Sequence, residues 1–328
     1  MNIAFAGFRH SHIMALYQKA MESATVKVIG AFEADAETRL QMEEQHGIQF
    51  RYPTYEALLC DPLVDAVAIG DYYAIRGERT IEALKHGKHV ISDKPLCTSL
   101  AEEAEIRRLS EEKGLTVYLM LDLRFADFCY TAKQLLEQNA VGKITHILFQ
   151  GQHPLMYGKR PAWYFEKGKY GGIINDIAIH GIDAVTYMTG LTVANTLAVR
   201  TKNAYATEEP HFLDSGTFLC ELSQGADLMA DVSYSSPDGM QYAMPTYWSF
   251  QVWGLDGMLS FARNVPTLTL YKKDANEPIS ITPHPIGKSL LDDFLDCVAG
   301  KQNTVITTAE MLEATRTTLQ IQALADKT

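Results

Sequence analysis

No run of about 18 apolar residues occurs in the 328-residue chain, so no membrane-spanning helix is expected. An excess of basic residues is also missing. Twenty-nine Lys and Arg stand against 40 Asp and Glu, for a formal net charge of −11. That balance argues against nucleic acid or an anionic membrane as the main partner. The opening residues, Met1-Asn2-Ile3-Ala4-Phe5-Ala6-Gly7, have no basic stretch and enter a strand pattern at once, so they do not read as a signal peptide. Cysteine is sparse. The five residues Cys60, Cys97, Cys129, Cys220 and Cys297 are scattered, odd in number and mostly in apolar contexts. This excludes a disulfide scaffold and points to reduced thiols in a cytoplasmic protein. Internal repeats, low-complexity tracts and flexible linkers are absent as well. What remains is the composition of an ordinary globular protein, 47% hydrophobic and 21% charged, with enough length for two domains.

The first third alternates strands and helices. Strand patterns fall at Asn2–Ala6, Val26–Phe32, Asp65–Ile69, His89–Ser92 and Leu115–Leu121. Between them, helices are expected at Ile13–Met21, Asp35–Gln45, Tyr55–Leu59 and Arg76–His86, and from the Ser99/Glu102 capping box to Lys113. Repeated β-α units of this length imply a doubly wound parallel sheet with helices on both faces. Ligands of such sheets sit at the carboxyl ends of the strands.

Three strand ends carry candidate chemistry. The first turn, Gly7-Phe8-Arg9-His10-Ser11-His12, keeps one glycine of the G-x-G-x-x-G dinucleotide fingerprint. Arg9 and His12 stand where the other two would be. Glu33 ends the second strand, where an acidic group can hold the ribose 2′-OH and repel a 2′-phosphate, which favours NAD over NADP. Arg9 can bring positive charge to a pyrophosphate. The third end is Asp93-Lys94-Pro95. Proline ends the strand pairing and holds Lys94 extended, which would put its ammonium at the rim of a cleft.

A second signal is the stretch Gly171-Gly172-Ile173-Ile174-Asn175-Asp176-Ile177-Ala178-Ile179-His180-Gly181-Ile182-Asp183. Two glycines suit a close approach or turn, and a mostly buried helix follows. Asp176 and His180 are four apart and share one helix face, with Asp183 near it. Such a carboxylate–imidazole pair is costly to bury unless paired or used. It reads as a structural pair, as part of a metal site, or as acid/base machinery with His180 taking the proton. The metal reading lacks a third ligand at standard spacing.

Together these motifs resemble the glucose–fructose oxidoreductase, inositol 2-dehydrogenase and rhizopine-catabolism family (Gfo/Idh/MocA). Asp93-Lys94-Pro95, preceded by Gly87-Lys88-His89-Val90, matches the family's Glu-Lys-Pro. Gly171, Gly172, Asp176, His180 and Asp183 match its Gly-Gly-…-Asp-x-x-x-His-x-x-Asp, and Val64–Ile69 matches the strand before the cofactor crossover. Arg124-Phe125 resembles the Arg-Phe at its domain junction. Gly70-Asp71-Tyr72-Tyr73 departs from the usual Thr-Pro-Asn type of stretch. The resemblance implies a Rossmann domain at 1–122 and an α+β domain at 123–328 with a large open, mostly antiparallel sheet. A closing helix at about 308–324 is expected to pack back on the first domain.

It also implies an enzyme that moves hydride between NAD and a secondary hydroxyl of a sugar, cyclitol or related polyol. Lys94, Asp176 and His180 would be catalytic. Gly7, Phe8, Arg9, His10, Glu33, Gly70, Asp71, Asp93 and Lys94 would hold cofactor. Substrate would meet Lys94, Arg124, Tyr157, Trp163, Asp176 and His180, with no metal. The last two-thirds fit this scheme. A helix is expected at Arg124–Asn139 and a strand at Lys143–Gln152. An aromatic and basic loop, His153–Tyr170, comes next. Strands at Thr196–Thr201, Asp214–Glu221, Ala226–Tyr234, Trp248–Trp253 and Met258–Phe261 follow, then closing helices at Ser289–Val298 and Thr308–Leu324. The resemblance implies a homodimer or homotetramer through the open sheet. Two rival activities are compatible with the same residues: an NAD-assisted glycosidase or lyase, and a non-enzymatic sensor of NAD or sugar.

Overall fold

Short apolar strands followed by capped helices assemble the expected parallel sheet. In the computed structural model, residues 1–327 are described. They fall into two units. The first comprises Met1–Met120, Pro161–Gly171 and Ser289–Arg316. The second comprises Leu121–Arg160, Gly172–Lys288 and the residues from 317 on.

The first unit begins with β1 (Asn2–Ala6), α1 (His12–Glu22), β2 (Lys27–Phe32), α2 (Ala36–His46), α3 (Tyr55–Leu59), β3 (Ala66–Ile69), α4 (Tyr73–Lys85), β4 (His89–Ser92), α5 (Leu100–Lys113) and β5 (Val117–Leu119). The strands pair in the order β2-β1-β3-β4-β5, all parallel. Every residue of β3 is buried, as a sheet covered on both faces requires. Asp35 caps α2 by accepting the Thr38 N–H at 2.9 Å, and Ser99 caps α5 by accepting the Glu102 N–H at 3.2 Å. One helix differs from expectation. α4 starts at Tyr73 rather than Arg76, because Tyr73 is wholly buried and anchors an extra turn.

The second unit opens with a 3₁₀ turn at Asp122–Phe125, then α6 (Asp127–Glu137). The single helix expected from Arg124 to Asn139 is therefore broken at Ala126, which is extended (φ −86°, ψ 130°). The cause is local. Asp122 and Arg124 are both held by long-range ion pairs, to Arg263 and Asp183.

The unit continues with β6 (Ile144–Pro154), a π-helical turn at Ile174–Ala178 and α7 (Ile179–Thr189). Then come β7 (Val193–Lys202), β8 (Ser215–Leu222), β9 (Asp227–Ser236), β10 (Ser249–Gly254), β11 (Gly257–Ala262), β12 (Leu268–Lys272) and β13 (Ile279–Ile281). The eight strands pair as β13-β12-β11-β10-β6-β9-β8-β7, antiparallel except for β6 beside β9. β12 and β13 were not foreseen; with five and three residues they carry little alternation to read.

Side chains alternate across this sheet. Leu228 and Val232 point inward, while Met229 between them is 41% exposed. On the inner face the Phe149 ring presses on α7 at Gly181. A Cβ added there would sit 2.1 Å from the ring, so the glycine is what lets helix and strand approach.

Two helices complete the chain, α8 (Leu290–Val298) and α9 (Thr308–Ala325). Asp293 of α8 ties the first unit together. It accepts the Tyr118 hydroxyl at 3.0 Å and the Val305 N–H at 2.7 Å. In the second unit, Gln322 of α9 fills the space beside Gly172, whose φ is +93° and whose absent Cβ would meet that amide at 2.3 Å. The Gln322 Oε1 accepts the N–H groups of Ile174 and Asn175 at 3.0 and 3.3 Å. It thus caps the start of the π turn, whose N–H groups would otherwise lack helical partners.

Candidate active site

In the first unit, the turn after β1 and the ends of β2, β3 and β4 converge at the carboxyl edge of the sheet. Gly7 has φ +84°, and a Cβ there would lie 2.7 Å from Asp71, so no other residue fits without a shift. Glu33 is buried and braces this turn. Its two oxygens accept the Phe8 N–H at 2.6 Å and the Asp35 N–H at 2.9 Å. Burial, with Asp71 nearby, raises its pKa above the usual value. Asp71, next to Gly70, is buried as well. It pairs with Arg79 at 2.8 Å and accepts the Tyr72 N–H at 2.7 Å. Arg9 lies 3.7 Å from Asp35 and 5.3 Å from the centre of the Tyr72 ring.

His10 and Asp93 form the centre of a buried network. His10 Nδ1 contacts Asp93 Oδ2, and its Nε2 lies 3.2 Å from the Tyr73 hydroxyl, which meets the Tyr164 hydroxyl at 2.8 Å. Arg76 Nη2 is 3.4 Å from Asp93, and the Lys94 N–H donates to Asp93 Oδ1 at 2.8 Å. Burial lowers the His10 pKa to about 4, the pull of Asp93 offsetting only part of this. Burial alone would raise the Asp93 carboxyl. Contact with His10 and the nearby Arg76 and His12 outweigh it and hold the group well below the usual carboxylate range. A neutral imidazole beside a carboxylate carries its proton on Nδ1, leaving Nε2 to accept from Tyr73.

This arrangement has a pH signature. Between pH 6.5 and about 4 the unfolded chain binds a proton that buried His10 does not. Stability therefore falls as pH drops through that window, by on the order of 2–3 kcal/mol for this group. Urea unfolding at several pH values checks it. The loss should shrink in His10→Asn; an equally steep loss there would overturn the assignment.

His10, His12 and Asp93 bring possible ligand atoms within 4.8 Å of one another. A divalent cation among them would face the Arg76 guanidinium, which already pairs with Asp93. The cluster reads as an ion-pair network.

Lys94 is not at a solvent rim. It is 5% exposed, follows wholly buried Asp93, and its ammonium lies 5.8 Å from the centre of the Tyr73 ring. Trp163, expected on substrate, is also buried. It is 2% exposed, stacks on Tyr164 at 3.9 Å and donates its indole N–H to the Arg9 carbonyl at 3.1 Å. It thereby backs the turn after β1. No side chain caps the N-terminus of α1. An uncapped helix start after β1, with Glu33 at the end of β2, fits a dinucleotide.

In the second unit, Asp176 lies in the π turn and His180 in the first turn of α7, both buried. The widened turn replaces the regular helix expected there, as π turns often do at functional sites. Asp176 Oδ2 accepts the Tyr234 hydroxyl at 2.5 Å, and the Arg160 guanidinium lies 4.1 Å from the centre of the Tyr234 ring. His180 Nδ1 is 3.4 Å from Asp122 Oδ1, and the ring meets Trp248 edge-on at 4.9 Å.

Arg124, expected on substrate, is 1% exposed. It donates to Asp183 from Nε and Nη2 at 3.0 and 2.7 Å, tying the 3₁₀ turn to α7. Tyr157 is half exposed, its hydroxyl donating to Glu209 at 2.9 Å. Asp122, Tyr234 and Arg263 escaped the sequence reading. Their partners are 58 or more residues away, beyond any local pattern.

A Rossmann-type first unit with these motifs at its strand ends, and a second unit built on a largely antiparallel sheet, define a two-domain oxidoreductase class. The chain belongs to the Gfo/Idh/MocA family. The model of the oxidoreductase family with an NAD-binding Rossmann fold matches residues 1–121, and that of the GFO/IDH/MocA C-terminal domain matches 130–260. The chain is 23% identical over 298 residues to 1,5-anhydro-D-fructose reductase of Ensifer adhaerens, covering 86% of this chain and 83% of that one. Its fold matches the crystal structure of an oxidoreductase from Erwinia carotovora atroseptica, with a TM-score of 0.88 at 24% identity over 99% of this chain and 98% of that one. It also matches levoglucosan dehydrogenase in complex with NADH, with a TM-score of 0.81 at 18% identity over 100% and 97%.

Proposed function

We propose that the protein is an NAD-dependent dehydrogenase passing hydride between nicotinamide and a secondary hydroxyl of a sugar, cyclitol or related polyol. One observation carries this reading: a buried imidazole, His180, set beside carboxylates on a helix, in a chain whose first part matches an NAD-binding Rossmann domain. His180 takes the hydroxyl proton in the oxidative direction. Asp176, held by Tyr234, hydrogen-bonds the hydroxyl or orients the substrate. Lys94 stabilises the developing alkoxide and relays its proton. Of the loop aromatics, Tyr157 keeps an exposed ring for a sugar face. Bound NAD supplies the hydride acceptor.

The turn Gly7-Phe8-Arg9-His10, the start of α1 and the residues Gly70, Asp71 and Asp93 frame the cofactor. Glu33 selects NAD, because a second carboxylate lone pair can take a ribose hydroxyl and its charge repels a 2′-phosphate. The protein works in the cytoplasm, in keeping with five thiols and no disulfide among the described residues. It assembles as a dimer or tetramer through the outer sheet face. There Leu148 pairs with Met229, and Met229 with Leu219, as an apolar row.

Calorimetric titration of cofactor-stripped protein with NAD and NADP tests the reading. Light scattering of the same sample should give a dimer or tetramer mass, and a monomer mass would remove the assembly claim. Tight NAD binding and weak NADP binding are expected, followed by NADH formation in a polyol screen. Binding of neither would remove the hydride mechanism. A preference for NADP would overturn the role of Glu33 alone. Sugar release without net NADH would point instead to the NAD-assisted glycosidase or lyase.

A further inference from the structure

We infer that Asp122 is the positioning residue that fixes the tautomer of His180 and so makes Nε2 the proton-accepting nitrogen. The inference rests on the reading of His180 as the base. Asp122 Oδ1 lies 3.4 Å from His180 Nδ1, within ion-pair distance. Its other oxygen, Oδ2, is taken by Arg263 Nη2 at 2.5 Å. The carboxylate is thus held from one side by a guanidinium and turned toward the imidazole on the other.

The surrounding frame keeps it there. The 3₁₀ turn carrying Asp122 is fastened to α7 by Arg124 and Asp183, two residues beyond Asp122 and three beyond His180. Arg263 follows β11 and donates its backbone N–H to the Trp248 carbonyl at 3.2 Å, and the Trp248 ring packs edge-on against His180. Three separate elements therefore fix one carboxylate against one ring nitrogen.

Other titratable groups near the ring have partners of their own. Asp176, one turn earlier, is engaged by Tyr234. Asp183, one turn later, is engaged by Arg124. Cys129 of α6 is a buried thiol whose pKa burial pushes well above the usual value. His153 of β6 lies behind Trp248, 4.7 Å from that ring, with Tyr247 4.8 Å from His153. Asp122 is the carboxylate at ion-pair distance from Nδ1. A carboxylate at that position keeps the proton on Nδ1 and favours the charged ring once Nε2 gains a second proton. In the oxidative step the substrate O–H bond breaks and its proton passes to Nε2. The Nδ1 proton stays, and the imidazolium formed faces Asp122.

The full-length protein with ¹⁵N-labelled histidine tests this by NMR, with the His180 signals assigned from their loss in His180→Gln. Wild type should hold the Nδ1–H tautomer. In Asp122→Asn the amide oxygen can still accept from Nδ1 but the charge is gone, so the titration midpoint should fall by about one unit. Asp122→Ala should lose the tautomer preference as well. An unchanged midpoint in Asp122→Asn, or an Nε2–H tautomer in wild type, overturns the inference. The acidic limb of kcat/KM should move with the NMR midpoint while KM for the polyol changes little. The two readings separate cleanly. Full turnover in His180→Gln would remove His180 as base without touching the NMR result, while a fixed midpoint would remove Asp122 and leave His180 in place.

Discussion

Lys94→Ala and His180→Ala are each expected to lower kcat by about 10³-fold while leaving the fold intact. General-base removal costs roughly 10²–10⁴ in rate. Removing a group that meets developing negative charge costs about 10²–10³. The two losses arise differently. Under the proposed roles, losing His180 removes the base that takes the hydroxyl proton, and losing Lys94 removes the cation that meets the alkoxide. Lys94 is buried beside Tyr73, so Lys94→Met is the better packed control. It keeps the stem and removes the charge, and it should be as inactive as Lys94→Ala. Steady-state rates with NAD and a polyol that wild type oxidises would decide, alongside thermal melts to confirm folding. Wild-type activity in both alanine variants would sink the catalytic assignment.

The second large effect concerns stability. Arg124→Ala or Asp183→Ala should destabilise the second unit by about 3–5 kcal/mol, the cost of leaving one partner of a buried ion pair alone. Both side chains are 1% exposed, and the contact is a fork made by Nε and Nη2. Replacing both at once, as Arg124→Met with Asp183→Leu, should recover most of the loss, since it removes both buried charges together. Denaturant unfolding followed by tryptophan fluorescence reads this well, because Trp248 packs near the pair's helix. Single-variant losses below about 1 kcal/mol would mean that water reaches the pair.

Much of this fold was legible because local patterns carry it. The β-α alternation of the first third and the Ser99/Glu102 capping box act over a few residues. The periodicity of Asp227–Ser236 likewise reports a sheet with one buried face. The candidate site was legible only as motifs. Asp176, His180 and Lys94 stand in recognisable stretches, but what holds them does not. His10 meets Asp93 across 83 residues, Asp176 meets Tyr234 across 58, and Asp122 meets Arg263 across 141.

Lys94 was expected at the rim of a cleft, because Pro95 ends the strand pairing and holds it extended. The buried network under it could not be read from its neighbours in sequence. Arg124 and Trp163 were expected on substrate. The partners that hold them, Asp183 and the turn after β1, lie too far along the chain to be read locally. The π turn had no sequence marker beyond the two glycines.

The cap that Gln322 places on that turn spans 148 residues. During synthesis, the segment bearing Asp176 and His180 leaves the ribosome long before its cap exists. The nascent helix can form and can meet the strands of its own sheet, yet its first N–H groups have only water until residue 322 has emerged. The Ile174 and Asn175 N–H groups are thus capped only after the C-terminal helix has been made.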